Sequence, residues 1–246
     1  MSARPPVIIL VRPQLGENIG AAARAMMNCG LTDLRLVAPR DGWPNPAALP
    51  MAAGGASIIE NAGVFDSIAD AAHDLTFLAA LSARRRDMPV RTSDPRSVMA
   101  EMLSHGGRAG LMFGPEASGL DNDDVVRADC LVTADLNSDY PSLNLAQAVL
   151  LMAWEWRVAA HSGEKSSADT DQRPETATVL ERDRFHERLE SELDAGGFFI
   201  SPEMAPAVKR NLRALFARAA PTSQEIRTLH GVIQALTKIR DRSKSG

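Results

Sequence analysis

A chain of 246 residues with 45% hydrophobic and 24% charged side chains is long enough for one or two globular domains with an ordinary core. No stretch approaches the roughly 18 uncharged apolar residues of a membrane span; the Pro5-Pro6 pair before the first apolar run is not a signal-peptide pattern, and Cys29 and Cys130 are too few for a disulfide framework, so a cytoplasmic location is expected. The net charge of -4 hides a gradient: residues 1–160 carry -5, 161–178 carry -2 and 179–246 carry +3, with nine basic side chains against two acidic ones over 209–246. Such a cluster can attract a phosphate backbone locally, because screening confines its field to about 10 Å.

Val7-Ile8-Ile9-Leu10-Val11 is a short β-branched run, predicted as a strand buried on both faces. After the loop 12–18 a helix is predicted over Ile19–Cys29, stopped by Gly30, and Leu34–Val37 reads as the next strand. This strand, helix, strand unit with short connections points to a parallel sheet. Leu75–Leu81, Ala109–Phe113 and Cys130–Ala134 bring the total to about five strands, with helices near Ile68–His73 and Pro95–Leu103. A longer helix is predicted over Leu143–Ala160, capped by Ser142 and burying Leu143, Ala146, Leu150, Ala153 and Trp154. The polar stretch His161–Thr178 reads as a linker. Three helices follow: Thr178–Ala195, stopped at Gly196-Gly197; one opened by Ser201-Pro202 and running towards Ala219; and one opened by the capping box Thr222-Ser223-Gln224-Glu225. The expected organisation is an α/β domain over 1–160, a linker over 161–178 and a helical extension over 179–246.

The chain has no His-Glu-x-x-His, no Gly-x-Ser-x-Gly, no Walker loop and no Cys/His cluster at metal-ligand spacing, so no metal is expected. Gly16 and Gly20 do not make the Gly-x-Gly-x-x-Gly fingerprint of a dinucleotide fold. Three other segments carry the chemistry. Asn18-Ile19-Gly20-Ala21-Ala22-Ala23-Arg24-Ala25-Met26 sets Arg24 among small residues that leave a guanidinium room, with Asn18 at the helix start, where it can also act as a cap. Phe113-Gly114-Pro115-Glu116-Ala117-Ser118-Gly119-Leu120 places Glu116 on a loop after an apolar strand, where open α/β sheets bind ligands. Ser142-Leu143-Asn144 opens the long helix.

Together, in this order, the three segments resemble the motifs of the SpoU branch of the SPOUT methyltransferases. Leu180–Leu236, including Asp194-Ala195-Gly196-Gly197-Phe198-Phe199, resembles the C-terminal extension of a tRNA-modifying member. The resemblance implies an α/β, SPOUT-type parallel sheet flanked by helices, with Leu136–Leu143 threaded as a C-terminal trefoil knot, plus a small all-helical extension. It implies S-adenosyl-L-methionine as cofactor, held by Leu81, Ser82, Ala83, Gly114, Ala134, Ser142 and Leu143, and methylation of a tRNA ribose 2'-hydroxyl, at nucleotide 32 of the anticodon loop. Arg24, Ser142, Asn144, Asn18 and Glu116 are then the catalytic group, and the subunits pair as a homodimer through the knot. Since an arginine is a poor proton acceptor, the expected role of Arg24 is to stabilise the forming alkoxide and hold a phosphate.

The family pattern commonly flanks the glutamate with arginines, whereas this chain has Pro115 and Ala117. Arg84, Arg85 and Arg86 are candidates to replace that charge, and Lys209, Arg210 and Arg213 are candidates for tRNA contact in the extension. Three readings stay open at this level: methylation of another tRNA or rRNA nucleotide, a non-catalytic RNA-binding homologue, and a small-molecule nucleotide-binding enzyme.

Overall fold

The computed structural model describes residues 4–82, 90–105, 107–163 and 176–244. In chain order the first half holds β1 (Val7–Val11), α1 (Gly16–Cys29), β2 (Leu34–Val37), α2 (Ala48–Ala52), α3 (Ala56–Glu60), β3 (Gly63–Phe65), α4 (Ile68–Ala71), β4 (Phe77–Leu81) and β5 (Thr92–Ser93). Then come α5 (Pro95–His105), β6 (Ala109–Phe113), α6 (Asn122–Val125), β7 (Cys130–Val132), α7 (Leu145–Gly163), α8 (Val179–Ala195), α9 (Ala205–Ala219) and α10 (Ser223–Lys244). The strands form one sheet in the order β3-β2-β1-β6-β4-β7-β5, parallel at every pairing.

The five apolar runs read from the sequence are the five inner strands, and the sheet is wider than they suggest by β3 and β5. These two edge strands have three and two residues, too few to show any periodicity. The inner strands are apolar throughout because both faces are covered. On one face α1, α5 and α7 pack over Ile8, Leu10, Leu36, Ala79, Leu111 and Phe113. The run of small residues in α1 belongs to this packing: a Cβ on Gly20 would stand 2.0 Å from the Ala48 carbonyl oxygen, so only glycine lets α2 lie so close. Ala22, Ala23 and Ala25 are buried in the same layer, so these small residues also serve the packing of the helix.

Two further expectations change at α7. Its N-cap is Asn144 rather than Ser142: the Asn144 side-chain oxygen accepts from the Ala146 N–H at 2.9 Å, and Gln147 Oε1 accepts from the Asn144 N–H at 3.1 Å. The buried side is Leu145, Ala148, Val149, Met152, Ala153 and Trp156, while Leu150 (43% exposed) and Trp154 (56%) point outward. Apolar residues surround this helix almost completely, so their spacing cannot choose a face; packing against α1 does.

The second face, lined by Val7, Ile9, Leu78, Ala80 and Met112, is roofed by the four-residue helices α4 and α6. The extension helps complete it. Val179, at the start of α8, belongs to the same apolar cluster, and its N–H donates to Leu75 O at 2.8 Å. One turn on, Arg182 (5% exposed) forms a two-pronged pair with Asp129 (7%), whose carboxylate also accepts the Leu78 N–H at 2.8 Å. Burial alone would lower the Arg182 pKa, and the Asp129 charge more than offsets it. Asp183 then takes Arg127 at 2.7 Å and Arg213 at 3.2 Å. Among the described residues of the C-terminal part, the buried apolar cluster is small, Ala177, Phe185, Ile226 and Ile233, so docking on the sheet matters for its stability.

Asp129→Ala would leave the Arg182 guanidinium buried without a counter-charge and orphan the Leu78 N–H. A loss of about 3–5 kcal/mol is expected, read from urea unfolding; a loss below about 1 kcal/mol would mean the pair is not desolvated. His186, buried beside this cluster, has its pKa pushed down to about 3 by burial, with Arg213, Arg182 and Arg127 adding to the effect. The unfolded chain takes up this proton below the ordinary histidine value of about 6.5, whereas the native state does so only near 3. Stability should therefore fall, from this group, by about 1.4 kcal/mol per pH unit between those limits. His186→Leu is expected to flatten that slope relative to the unaltered protein in thermal unfolding across acidic pH.

Candidate active site

The carboxyl ends of β6, β4 and β7, neighbours in the sheet, open into a cleft of about 280 Å³. Leu81 and Ser82 line it from the end of β4, Phe113 and Gly114 from the end of β6, and Ala134, Leu136, Pro141, Ser142 and Leu143 from the segment between β7 and α7. Leu81, Ser82, Gly114, Ala134, Ser142 and Leu143, predicted to hold the cofactor, thus all line one cavity. Ala83, Arg84, Arg85 and Arg86 lie outside the described residues. The loop after β6 folds back on itself: a Cβ on Gly114 would stand 2.1 Å from the Leu120 N, Gly119 adopts a left-handed φ of 67°, and the Gly119 N–H donates to Pro115 O at 2.7 Å. Both glycines are therefore required by the turn that presents Glu116.

Glu116 caps α1 from across the chain. Leu15, at the N-cap, has no side chain that can accept a hydrogen bond, and Glu116 takes the Gln14 N–H at 2.9 Å and the Leu15 N–H at 3.3 Å. Its charge also complements the positive end of the helix. Asn18 is not a cap but a first-turn residue of α1; its Nδ2 donates to Glu116 Oε1 at 2.8 Å, and its Oδ1 accepts from Asn144 Nδ2 at 2.9 Å. A carboxylate only accepts, so it sets the direction of the whole line: Asn144 donates to Asn18, which donates to Glu116. Asn144 is left with its oxygen turned to the start of α7 and one amide hydrogen to spare. The Ser142 hydroxyl, on the cleft wall, makes no hydrogen bond to another described residue.

Arg24 is not part of this arrangement within one subunit. It lies six residues beyond Asn18, about 9 Å along the helix, is exposed, and pairs with no described residue. Lys209, Arg210 and Arg213 are engaged internally: Lys209 lies 3.7 Å from Glu190, Arg210 3.3 Å from Asp123, and Arg213 2.8 Å from Glu190. Arg213 fastens α9 to α8, which its predicted RNA contact did not foresee. Gln147 escaped sequence reading although the spacing Asn-x-x-Gln was there to be read as a capping box. Arg40 escaped it too; this exposed arginine pairs with Asp41 and feels the charge of Glu116. Burial pushes the Cys130 thiol up to about 12 and raises that of Cys29, which favours the protonated thiol at both. No group of side chains that could hold a metal ion exists among the described residues.

Residues 5–154 match the SpoU rRNA Methylase family, and residues 181–245 match the family described as tRNA methyltransferase TrmJ, C-terminal domain. The tRNA (cytidine/uridine-2'-O-)-methyltransferase TrmJ of Klebsiella pneumoniae subsp. pneumoniae is 36% identical over 93% of this chain and 95% of its own length. The chain belongs to the TrmJ group of the SpoU methylase family. The crystal structure of TrmJ from Z. mobilis ZM4 superposes on this TrmJ-group chain with a TM-score of 0.87 at 42% identity, over 95% of this chain and 100% of the other. A probable methylase family protein from Haemophilus influenzae Rd KW20 follows at 0.63 and 30%, over 96% and 97% of the two chains. The SpoU methyltransferase AviRb from Streptomyces viridochromogenes, solved with AdoMet, shares the fold at 0.54 and 16%, over 68% of this chain and 60% of its own.

Glu116→Gln should loosen the start of α1, since an amide has one acceptor oxygen where the carboxylate uses two. A cost of about 1 kcal/mol in unfolding and faster hydrogen exchange of the Gln14 and Leu15 amides are expected. Unchanged exchange at both amides would remove Glu116 from the capping role.

Proposed function

We propose that this chain transfers a methyl group from S-adenosylmethionine to a ribose 2'-hydroxyl of tRNA, with nucleotide 32 of the anticodon loop as target. One observation carries the cofactor assignment: among the described residues lining the cleft there is one acid, Glu116, and no lysine or arginine. An apolar cleft with exposed main-chain groups and a single negative charge suits a flat adenine and a sulfonium cation. It suits the phosphates of a nucleotide poorly. The TrmJ relatives, named for tRNA cytidine/uridine 2'-O-methylation, support the substrate. Such a substrate implies work in the cytoplasm; among the described residues no helix is long and apolar enough to cross a membrane.

When bound, S-adenosylmethionine supplies an electrophilic methyl group. The residues of the chain orient the acceptor for in-line attack: the Ser142 hydroxyl and the spare Asn144 amide hydrogen reach the ribose, and Glu116 and Asn18 fix the direction of Asn144. As the ribose oxygen takes the methyl group and a neutral thioether leaves, the hydroxyl proton passes to solvent water; the negative charge this builds on the oxygen needs a cation, and the cleft has none among the described residues. In this reading a homodimer provides it, the partner subunit's Arg24 entering the cleft. The outward stripe of Leu150, Trp154 and Val158 on α7 is the surface such pairing would cover. The segment 136–143, knotted in this reading, lies beside it. Residues 1–160 are then the catalytic unit, and 179–246 grip the tRNA, Lys209 and Arg210 facing its backbone.

Methyl-labelled cofactor and tRNA from a strain lacking the modification should yield label on the ribose of nucleotide 32. Label on a base, or RNA binding without label, would overturn the reading. Arg24→Ala and Asn144→Ala should each be inactive alone, yet an equal mixture of re-associated subunits should recover about a quarter of full activity if Arg24 serves the other subunit's cleft. No recovery would return Arg24 to its own subunit or to a surface role.

A further inference from the structure

The turn between α8 and α9 presents aromatic side chains to water in a place that points to a use. Gly197 takes a left-handed φ of 74° and the Phe198 N–H closes on Leu193 O at 2.9 Å, a helix stop that needs no exposed ring. Yet Phe198 is 53% exposed and Ile200 94%. Phe198 stands edge-on to Phe199, with ring centres 5.4 Å apart at 77°, and Lys209 Nζ lies 5.1 Å from the centre of the Phe199 ring. The turn is also tied to the cleft side of the molecule. Arg210, next to Lys209, reaches Asp123 of α6 at 3.3 Å. α6 follows the cleft loop 114–120 directly and is held to the end of β1 by Arg12, through Asp121 and Asp124.

The geometry points to Phe198 as a stacking platform for one unpaired nucleobase of the RNA substrate, flanked by Lys209 and Arg210 on the adjacent phosphates. This rests on the tRNA reading above and adds a subsite to it. An aromatic ring beside exposed cations is the chemistry that takes an unstacked base, and every base offers a π-face. Charge favours RNA over an apolar protein partner: the segment 209–246, which starts at the platform, carries nine basic and two acidic side chains. Lys209, which lies over the neighbouring Phe199 ring, and Arg210 are partly offset by Glu190 and Asp123, so stacking would add a share of affinity that salt does not screen.

The full-length protein is titrated with unmodified tRNA at several salt concentrations, and with a single-stranded oligoribonucleotide carrying 2-aminopurine. Phe198→Ala should weaken tRNA binding roughly tenfold with an unchanged slope of log affinity against log salt, and should abolish 2-aminopurine quenching. Phe198→Trp should restore both. Lys209→Ala should lower the salt slope by about one, and Ile200→Ser, which removes an apolar side chain that cannot stack, should bind as the unaltered protein does. Equal affinity of Phe198→Ala and the unaltered protein overturns the platform. So does an equal loss in Ile200→Ser, or a change of sedimentation mass in either variant, which would assign the turn to a protein surface. If methyl transfer to tRNA persists while Phe198→Ala binds normally, only the platform fails; if the unaltered protein neither binds nor methylates tRNA, the function itself fails.

Discussion

A carboxylate that can only accept hydrogen bonds holds the candidate site together. Glu116 takes two backbone N–H groups at the start of α1 and the side-chain amide of Asn18, and through Asn18 it orients Asn144 at the start of α7. Three segments distant in the chain, the loops after β1 and β6 and the start of α7, are thereby fixed to one another. Because the anchor cannot donate, neither amide can turn over without losing a bond. A site that must hold a sugar oxygen in line with a methyl donor needs such fixed direction more than it needs additional charge.

The glycines and alanines around this anchor serve distance. Gly20 lets α2 approach α1, and Gly114 lets the cleft loop close on Leu120. Both sit in the segments that carry the polar residues of the site, so the same short motifs encode packing and chemistry. Arg24 shows where the two part: its alanine neighbours are buried for packing, while Arg24 itself is exposed and does not line the cleft. Among the described residues lining the cleft there is thus no cation of the kind that the proposed chemistry calls for.

The extension is bound to the catalytic sheet rather than hung from it. Val179 joins the second apolar layer, and the Arg182–Asp129 pair closes the edge where α4 and α6 leave it thin. Buried pairs of this kind cost desolvation and return it only when every lone pair is met. Asp129 meets that condition by also taking the Leu78 N–H. Arg210 and Arg213 of α9 are engaged by acids of α6 and α8, so this part of the basic segment read from the sequence acts as a fastener.

The sequence alone determined the parallel sheet, since five short apolar runs joined by short helical connections point to it, and it determined the capping box at Thr222–Glu225, which is a local hydrogen-bond pattern. The motifs also named the cleft residues, because backbone turns that need glycine leave a mark in sequence. The two edge strands were illegible, being too short to carry a period. The cap and buried face of α7 were read wrongly, since an apolar helix shows no preferred side until a neighbour packs on it. Only tertiary structure could reveal that Glu116 serves α1, that Arg24 stands outside its own cleft and that Arg213 is an internal tie. Each depends on which distant groups meet, and hydrogen bonding and charge pairing across a hundred residues leave no periodicity to read.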